Sequence, residues 1–112
     1  MNDTTSTNDG PVTVDVSDDG VAVIVIDDGK ANALGFDLLA GFNDALDRAE
    51  QDDVTAVAVI GREGKFSAGF DLKVMTSGPD AARDMLGRGA ELGLRLFMFP
   101  KPVVFGVTGH AL

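Results

Sequence analysis

The sequence predicts an α/β fold in which strands and helices alternate along the chain. Apolar runs of five to seven residues are typical of strands, two longer segments have apolar residues at helical spacing, and Gly, Pro or Asp separates them. The predicted order is strand, strand, helix, strand, helix, strand. This order favours a sheet with parallel crossover connections. At 112 residues, we expect one domain with a modest core.

The first two predicted strands form a hairpin. Residues 12–16 alternate as Val-Thr-Val-Asp-Val, which is typical of a half-buried strand. Residues 21–26 are almost continuously aliphatic, which predicts a strand buried on both faces. Asp19-Gly20 lies between the two runs and is a hairpin turn signal. Residues 30–34 then follow as a short loop.

Two helices and two further strands complete the predicted order. Residues 35–51 form a helix, ended by Asp52-Asp53, whose apolar face consists of Phe36, Leu39, Phe42, Leu46 and Ala49. Residues 54–60 form the third strand. Residues 79–99 form the second helix, with Pro79 in its first turn, Pro100 after its end and an apolar stripe of Met85, Leu92, Leu96 and Phe99. Residues 103–107 form the fourth strand, and residues 108–112 form a turn.

Composition excludes several classes of site. The chain has no cysteine, which excludes disulfides, thiolate metal sites and cysteine nucleophiles, and fits a reducing cytoplasm. With one histidine, only scattered carboxylates remain as ligands, so we predict no metal site. Residues 1–10 are polar, lack the features of a signal peptide and are predicted to be a disordered tail. No apolar run approaches the length of a membrane span, so we expect no membrane partner.

Charge is unevenly distributed along the chain. Residues 1–53 hold 13 acidic and 2 basic residues, whereas residues 54–112 hold 5 acidic and 7 basic residues, within a net charge of −9. An acidic chain is a poor match for nucleic acid, whose binding depends on Lys and Arg. The mildly basic second half favours an anionic ligand there, and a solvated acidic surface is the alternative explanation of the asymmetry.

Residues 64–73, Gly-Lys-Phe-Ser-Ala-Gly-Phe-Asp-Leu-Lys, predict a ligand-binding loop. They follow a buried strand, and Ser67, Ala68 and Gly69 have too little side chain to keep a ligand from the main chain. Backbone N–H groups held in such a loop can stabilise an oxyanion as it develops. A phosphate loop does not fit the spacing: two residues rather than four separate Gly61 from Gly64, and Phe66 stands directly after Lys65 where that loop needs Ser or Thr.

Four segments, in order, resemble the crotonase (enoyl-CoA hydratase/isomerase) superfamily. Lys-Ala-Asn-Ala-Leu at residues 30–34 is similar to its first coenzyme A loop, and residues 66–73 are similar to its signature. Pro-Lys-Pro-Val-Val at residues 100–104 resembles the entry to its next strand. Val-Thr-Gly-His-Ala-Leu at residues 107–112 resembles the start of its second oxyanion segment. The resemblance covers nearly the whole chain.

The resemblance implies a spiral of strand–strand–helix units that is incomplete in this chain. Residues 11–112 would form the N-terminal part of a crotonase-like domain, and we expect the chain to be the front of a larger domain, with an intact small domain as the alternative. The implied ligand is an acyl-CoA thioester of fatty acid metabolism, with coenzyme A as part of the substrate and no separate cofactor. Full-length relatives would form trimers or hexamers, but the segments that build those contacts are largely absent here.

The resemblance also implies roles for individual residues. The backbone N–H of Phe70 takes the place of the first oxyanion donor and is the catalytic group. The backbone carbonyl of Ala68 would meet the adenine, and Lys73 would meet phosphate or solvent. The second oxyanion donor would follow Leu112. Further residues around the coenzyme A pocket would be Lys30, Ala31, Ala33, Asp71 and Leu72.

Two departures from the family pattern leave the reaction open. Phe70 replaces the small residue common in hydratases, and its ring would shape the acyl pocket. The acid/base carboxylates of family hydratases would lie beyond Leu112, so we assign no general base. If these residues are the whole gene product, we predict that it is not a competent hydratase. The alternative function is a non-catalytic acyl-CoA-binding protein or truncated remnant.

Other polar residues each have two interpretations. His110 is either structural or exposed, or it faces the acyl pocket, where it could donate to a thioester oxygen. Asp71 is either a base or, as we favour, a residue that fixes its loop by capping backbone N–H groups. On the second helix, a solvated face is expected for Arg83, Arg88 and Arg95, with a phosphate contact for one of them as the alternative.

Overall fold

A computed structural model describes residues 6–7 and 10–112 of the chain. Within these residues the strands are β1 (Ser6–Thr7), β2 (Val12–Val16), β3 (Val21–Ile26), β4 (Ala33–Leu34), β5 (Ala56–Ile60), β6 (Gly64–Ser67), β7 (Gly69–Phe70), β8 (Val103–Gly106) and β9 (Gly109–Ala111). The helices are α1 (Phe36–Ala49), α2 (Leu72–Met75) and α3 (Pro79–Phe97). The predicted tail lies mostly outside the described residues, but β1 within it pairs antiparallel with β2.

The main sheet has five strands in the order β1-β2-β3-β5-β8. Strands β2 and β3 are antiparallel, and Gly20 at their turn has φ of 86°, so the predicted hairpin is confirmed. Strand β5 pairs parallel with β3, and β8 pairs parallel with β5. The predicted parallel crossovers are therefore confirmed: α1 connects the first parallel pair, and the segment with α2 and α3 connects the second.

Strand β3 is buried on one face rather than on both. Ala22, Ile24 and Ile26 are buried, whereas the alternate residues Val21, Val23 and Val25 are only half-buried. Helix α1 packs against β2 and β3 and contributes six residues to the same core, among them Leu39, Phe42 and Leu46. The prediction failed because a continuous aliphatic run carries no period that tells which face is covered.

Both helices are shorter than predicted at their C-terminal ends. Helix α1 ends at Ala49, and Arg48 in its last turn donates hydrogen bonds of 2.9 and 2.7 Å to the carboxylate of Asp53. These bonds hold the pKa of Asp53 below its usual range. Helix α3 ends at Phe97 rather than Phe99. Phe99 precedes Pro100, and the proline ring disfavours helical backbone at the preceding residue.

Three segments predicted as loops or turns contain short strands. Strand β4 lies in residues 30–34, β6 and β7 lie in residues 64–73, and β9 lies in residues 108–112. Their partners are distant in sequence: β4 pairs parallel with β7, and β6 pairs parallel with β9. Strands of two to four residues are too short to show a period, so the sequence could not reveal them.

Several large apolar side chains are exposed. They lie at the end of α3 and along β8, at the edge of the sheet, and include Leu94, Phe97, Met98, Val104 and Phe105. No helix in the described ranges is both long and apolar enough to cross a membrane.

Arg95 joins α3 to α1 and is not part of a solvated face, contrary to the sequence prediction. One nitrogen of its guanidinium donates to the backbone and side-chain oxygens of Asn43 at 3.1 and 3.0 Å. The other donates to Asp47 at 2.7 Å and lies 3.4 Å from Glu50. Arg83, by contrast, is 80% exposed and 3.7 Å from Asp80.

We expect Arg95→Ala to lower the free energy of unfolding by about 1 kcal/mol, because charged hydrogen bonds between two helices are lost. The matched control Arg83→Ala should change it by less than about 0.5 kcal/mol, since that side chain is exposed. Urea unfolding monitored by circular dichroism measures both. Equal effects of the two substitutions would contradict this account of the α1–α3 contact.

Candidate functional site

Asn32 is a fully buried polar residue that joins three segments of the chain. Its Nδ2 group donates to the backbone oxygens of Ile26 at 2.7 Å and Phe66 at 3.1 Å, and its Oδ1 accepts from the N–H of Asp28 at 2.9 Å. Among the described residues it is the one non-glycine residue with a positive φ, 55°. Asn tolerates this conformation better than most residues. One side chain thus connects the end of β3, the residue 28–34 loop and β6.

The sequence pattern does not predict the role of Asn32. The residue enters the prediction only as part of the Lys-Ala-Asn-Ala-Leu motif and not as a site residue. A usable signal is present, because Asn is the one uncharged polar residue of this pentapeptide and is enriched at left-handed positions. Its partners at Ile26 and Phe66 could not be inferred, since one of them lies 34 residues away.

The turn before Asn32 is shaped by two aspartates. Asp27 Oδ1 accepts from the N–H of Gly29 at 2.9 Å, and Asp28 Oδ1 accepts from the N–H groups of Lys30 at 2.7 Å and Asn32 at 3.0 Å. Side-chain bonds of this kind stabilise a turn without a regular ladder. The backbone around Lys30 is therefore fixed by the chain's own groups.

The predicted coenzyme A loop and the predicted signature are hydrogen-bonded to each other. The N–H of Ala68 donates to the oxygen of Ala31, and the N–H of Asp71 donates to the oxygen of Leu34, both at 3.0 Å. Ser67 Oγ donates to the oxygen of Asn32 at 2.9 Å. The structure therefore brings together two segments that the sequence separates by more than thirty residues.

The backbone of Phe70 has its N–H directed away from β4. Asp71 donates to Leu34 on β4, and successive N–H groups along a strand point to opposite sides. The N–H of Phe70 therefore points to the side of β7 that β4 does not occupy. The side chain of Phe70 is half-buried and packs against the core.

The end of the described chain lies beside the signature. Strand β9 runs parallel to β6, and the N–H of Leu112 donates to the oxygen of Ser67 at 2.9 Å. A Cβ atom on Gly69 would stand 3.0 Å from the oxygen of Leu112, and Gly69 has φ of 89°. Both the contact and the backbone angle require glycine there. The two segments predicted to carry oxyanion donors are therefore neighbours.

An open groove of about 790 Å³ is lined mainly by residues of the 27–38 and 71–74 segments. Four of the predicted coenzyme A residues, Lys30, Ala31, Ala33 and Asp71, line it together with Lys73. Ala68, Phe70 and Leu72 do not line it. Ala68 and Leu72 are exposed beside it, and Leu72 retains 75% of its surface.

Carboxylates in the groove accept hydrogen bonds from nearby groups. Asp71 Oδ1 accepts from the N–H of Lys73 at 2.9 Å and caps α2, which confirms the loop-fixing interpretation. Asp27 lies 3.0 Å from Nε of Arg62, whose guanidinium also donates to the backbone oxygen of Lys30. The side chains of Lys30 and Lys73 are exposed.

The remaining candidate residues lie outside this groove. His110 is exposed on β9, opposite Lys65 on β6. Arg88 pairs with Asp84 at 3.0 Å and lies over the ring of Phe36 at 5.1 Å. In the part of the chain that the structure describes, no group of three or more His, Asp or Glu residues could hold a metal ion.

Comparison with known proteins gives consistent matches. The sequence model of the family described as enoyl-CoA hydratase/isomerase matches residues 17–112. A probable enoyl-CoA hydratase of Bacillus subtilis is 38% identical over 98 residues, covering 85% of this chain and 38% of that protein. An enoyl-CoA hydratase structure from Mycobacterium ulcerans has 50% identity and a TM-score of 0.85, covering 91% of this chain and 45% of that one. A Mycobacterium tuberculosis structure described as an enoyl-CoA isomerase has 47% identity and a TM-score of 0.84, covering 93% and 45%.

The chain spans less than half the length of each of these three proteins. The matches therefore concern only the part of each relative that this chain covers.

Two substitutions of Asn32 distinguish the contribution of its hydrogen bonds from that of its left-handed backbone conformation. Asn32→Gly removes the amide but keeps the left-handed backbone accessible, and we expect a loss of about 2 kcal/mol in the free energy of unfolding from unsatisfied buried groups. Asn32→Ala also strains the backbone and should cost about 1 kcal/mol more. Urea unfolding measures both variants. An Asn32→Gly protein as stable as the unsubstituted chain would show that these bonds do not stabilise the junction.

Proposed function

The chain belongs to the enoyl-CoA hydratase/isomerase family, and from this membership we propose that it binds an acyl-CoA thioester at the groove beside Asn32. The structural neighbours confirm the crotonase-type α/β fold that the motifs predict, with TM-scores of 0.85 and 0.84. The chain corresponds to the N-terminal part of its relatives. Enzymatic activity on an acyl-CoA thioester is therefore also proposed.

The observation that carries the proposal is the composition of the groove. Four residues that the resemblance assigns to coenzyme A line one groove, although Asp71 lies far from the other three in sequence. The loop and the signature are held together by backbone hydrogen bonds, so the chain's own groups fix the relative position of these two walls of the groove. A largely pre-formed concave site with a few fixed polar groups is typical of ligand pockets.

The groove is lined by four aspartates, Asp27, Asp28, Asp37 and Asp71, and its positive charge comes from two lysines. Asp27 is paired with Arg62, Asp28 accepts backbone N–H groups, and Asp71 caps α2. These contacts engage three of the carboxylates, and the fourth, Asp37, is exposed in the first turn of α1. Lys30 and Lys73 are exposed as well. We propose that these two lysines meet the phosphates of coenzyme A, and that the backbone carbonyl of Ala68 meets the adenine.

The proposed chemistry uses the backbone N–H of Phe70. A thioester carbonyl gathers negative charge as its α-carbon becomes an enolate or as water attacks C3. A fixed N–H aimed at that oxygen stabilises the charge by about 3 kcal/mol. The N–H that donates to β4 is that of Asp71 and not that of Phe70, so the Phe70 N–H is not engaged by that strand, which supports the role. Leu112 beside Ser67 supports the expectation that a second donor follows from the adjoining segment.

A non-catalytic acyl-CoA-binding protein is the second candidate. Hydration requires an acid or base within hydrogen-bond reach of the transferred proton. The favoured role of Asp71 is structural, because its carboxylate caps α2. A spectrophotometric assay with crotonyl-CoA separates the candidates: binding without hydration supports the second, and clear turnover by this chain supports the first.

We further propose how coenzyme A takes part and where the protein acts. Coenzyme A enters as part of the substrate, and no separate cofactor takes part. A cytoplasmic location fits the absence of cysteine. The trimer or hexamer implied for full-length relatives stays a prediction for those proteins.

Charge reversal at one lysine should weaken ligand binding. We expect Lys30→Glu to raise the dissociation constant for butyryl-CoA about tenfold, which corresponds to about 1.4 kcal/mol, because an attractive contact with phosphate becomes repulsive. Lys65→Glu is the matched control, since Lys65 is an exposed lysine on β6 outside the groove. Isothermal calorimetry at constant ionic strength measures both variants.

The control should raise the dissociation constant less than twofold. Equal weakening by both variants would point to a general charge effect and against the groove. No binding of butyryl-CoA by the folded, unsubstituted chain would overturn the proposed function.

A further inference from the structure

The ring of Phe70 lies against Gly89 on α3. A Cβ atom built on Gly89 would stand 2.5 Å from Cε1 and 2.7 Å from Cζ of that ring. Real Cβ atoms do not approach other atoms so closely, so the ring occupies the space that a side chain at position 89 would need. Gly87 and Gly93 on the same helix have no atom within 4 Å of such a Cβ. The contact is therefore specific to Gly89.

The space around this ring is apolar. Met85 lies four residues before Gly89 and Leu92 lies three residues after it, so all three share one face of α3. Met85 and Leu92 are both buried, and Val74 and Met75 pack against the same core as Phe70. An alkyl chain would be favourably buried in this space if the ring were not already there.

The same ring adjoins the proposed oxyanion donor, because it is carried by the residue whose N–H would bind the thioester oxygen. An acyl chain leaving that carbonyl must pass near the Phe70 side chain. We propose that the Phe70 ring, seated against Gly89, is a specificity-determining wall that keeps long acyl chains out of the apolar space between β7 and α3. This inference rests on the proposed function, and it assigns a preference for short acyl-CoA thioesters.

The test compares dissociation constants for butyryl-CoA and decanoyl-CoA by isothermal calorimetry, below the micelle-forming concentration of the longer ligand. Phe70→Ala should shift the ratio of the two constants at least tenfold in favour of decanoyl-CoA, the effect of burying about two more methylene groups. Phe70→Leu, a milder substitution, should shift the ratio in the same direction by a smaller factor and covers the case in which Phe70→Ala fails to fold.

A double variant tests whether the volume filled by an aromatic ring determines the ratio of the two dissociation constants. In Phe70→Ala/Gly89→Phe, the new ring enters from α3 into the space that the old one left, because the Cβ at position 89 points directly at it. The ratio should return to within about threefold of its original value. Phe97→Ala is the matched control, since Phe97 lies on the same helix, is 88% exposed and should leave the ratio unchanged.

A measurement without ligand tests the packing itself. Gly87→Ala should raise the urea midpoint of unfolding, because alanine favours a helix and meets no other atom. Gly89→Ala should lower the midpoint, because its methyl group displaces the Phe70 ring. Equal increases for the two variants would show that the ring is not seated on Gly89 and would overturn the inference.

The outcomes distinguish this inference from the function on which it rests. If folded Phe70→Ala still binds butyryl-CoA and the ratio of the two dissociation constants is unchanged, the proposed role of the Phe70 ring is wrong and the proposed function is retained. Failure of the unsubstituted chain to bind either ligand would overturn the proposed function, and the wall with it.

Discussion

The buried amide of Asn32 is the interaction on which the candidate site depends. It satisfies two backbone oxygens and one backbone N–H from three separate segments, in a place that water does not reach. Leaving such buried groups without partners costs more than an ordinary hydrogen bond contributes. The amide therefore fixes how the residue 28–34 loop and β6 lie relative to the end of β3.

The rest of the site follows from this junction. With the loop in place, its backbone oxygens at Ala31 and Leu34 accept from Ala68 and Asp71, so the signature is held as β7 rather than as a free loop. This pairing directs the N–H of Phe70 to the opposite side and brings the Phe70 ring to Gly89. The direction of the Phe70 N–H and the position of the Phe70 ring are thus both consequences of one strand pairing.

The sequence predicted the elements with strong local periodicity and the family, but not the contacts between distant segments. The hairpin, α1 and the parallel crossovers follow from apolar patterns and turn residues, and the motifs identified the fold. Other features depend on partners far away in sequence. They are the half-buried outer face of β3, the short strands β4, β7 and β9, and the role of Arg95. Asn32 shows most clearly what the sequence does not predict. The residue belongs to a recognised motif, yet its structural role depends on hydrogen bonds to Ile26 and Phe66 that no local pattern contains.

The central claim is that the N–H of Phe70 meets the thioester oxygen of a ligand held at the groove. Nuclear magnetic resonance of the labelled chain tests this directly with two ligands, butyryl-CoA and its thioether analogue S-butyl-CoA, which lacks the carbonyl. The account predicts that the amides of Ala31 and Ala33 shift with both ligands, whereas the amide proton of Phe70 moves downfield only with the thioester. Equal shifts of the Phe70 amide with both ligands would contradict it.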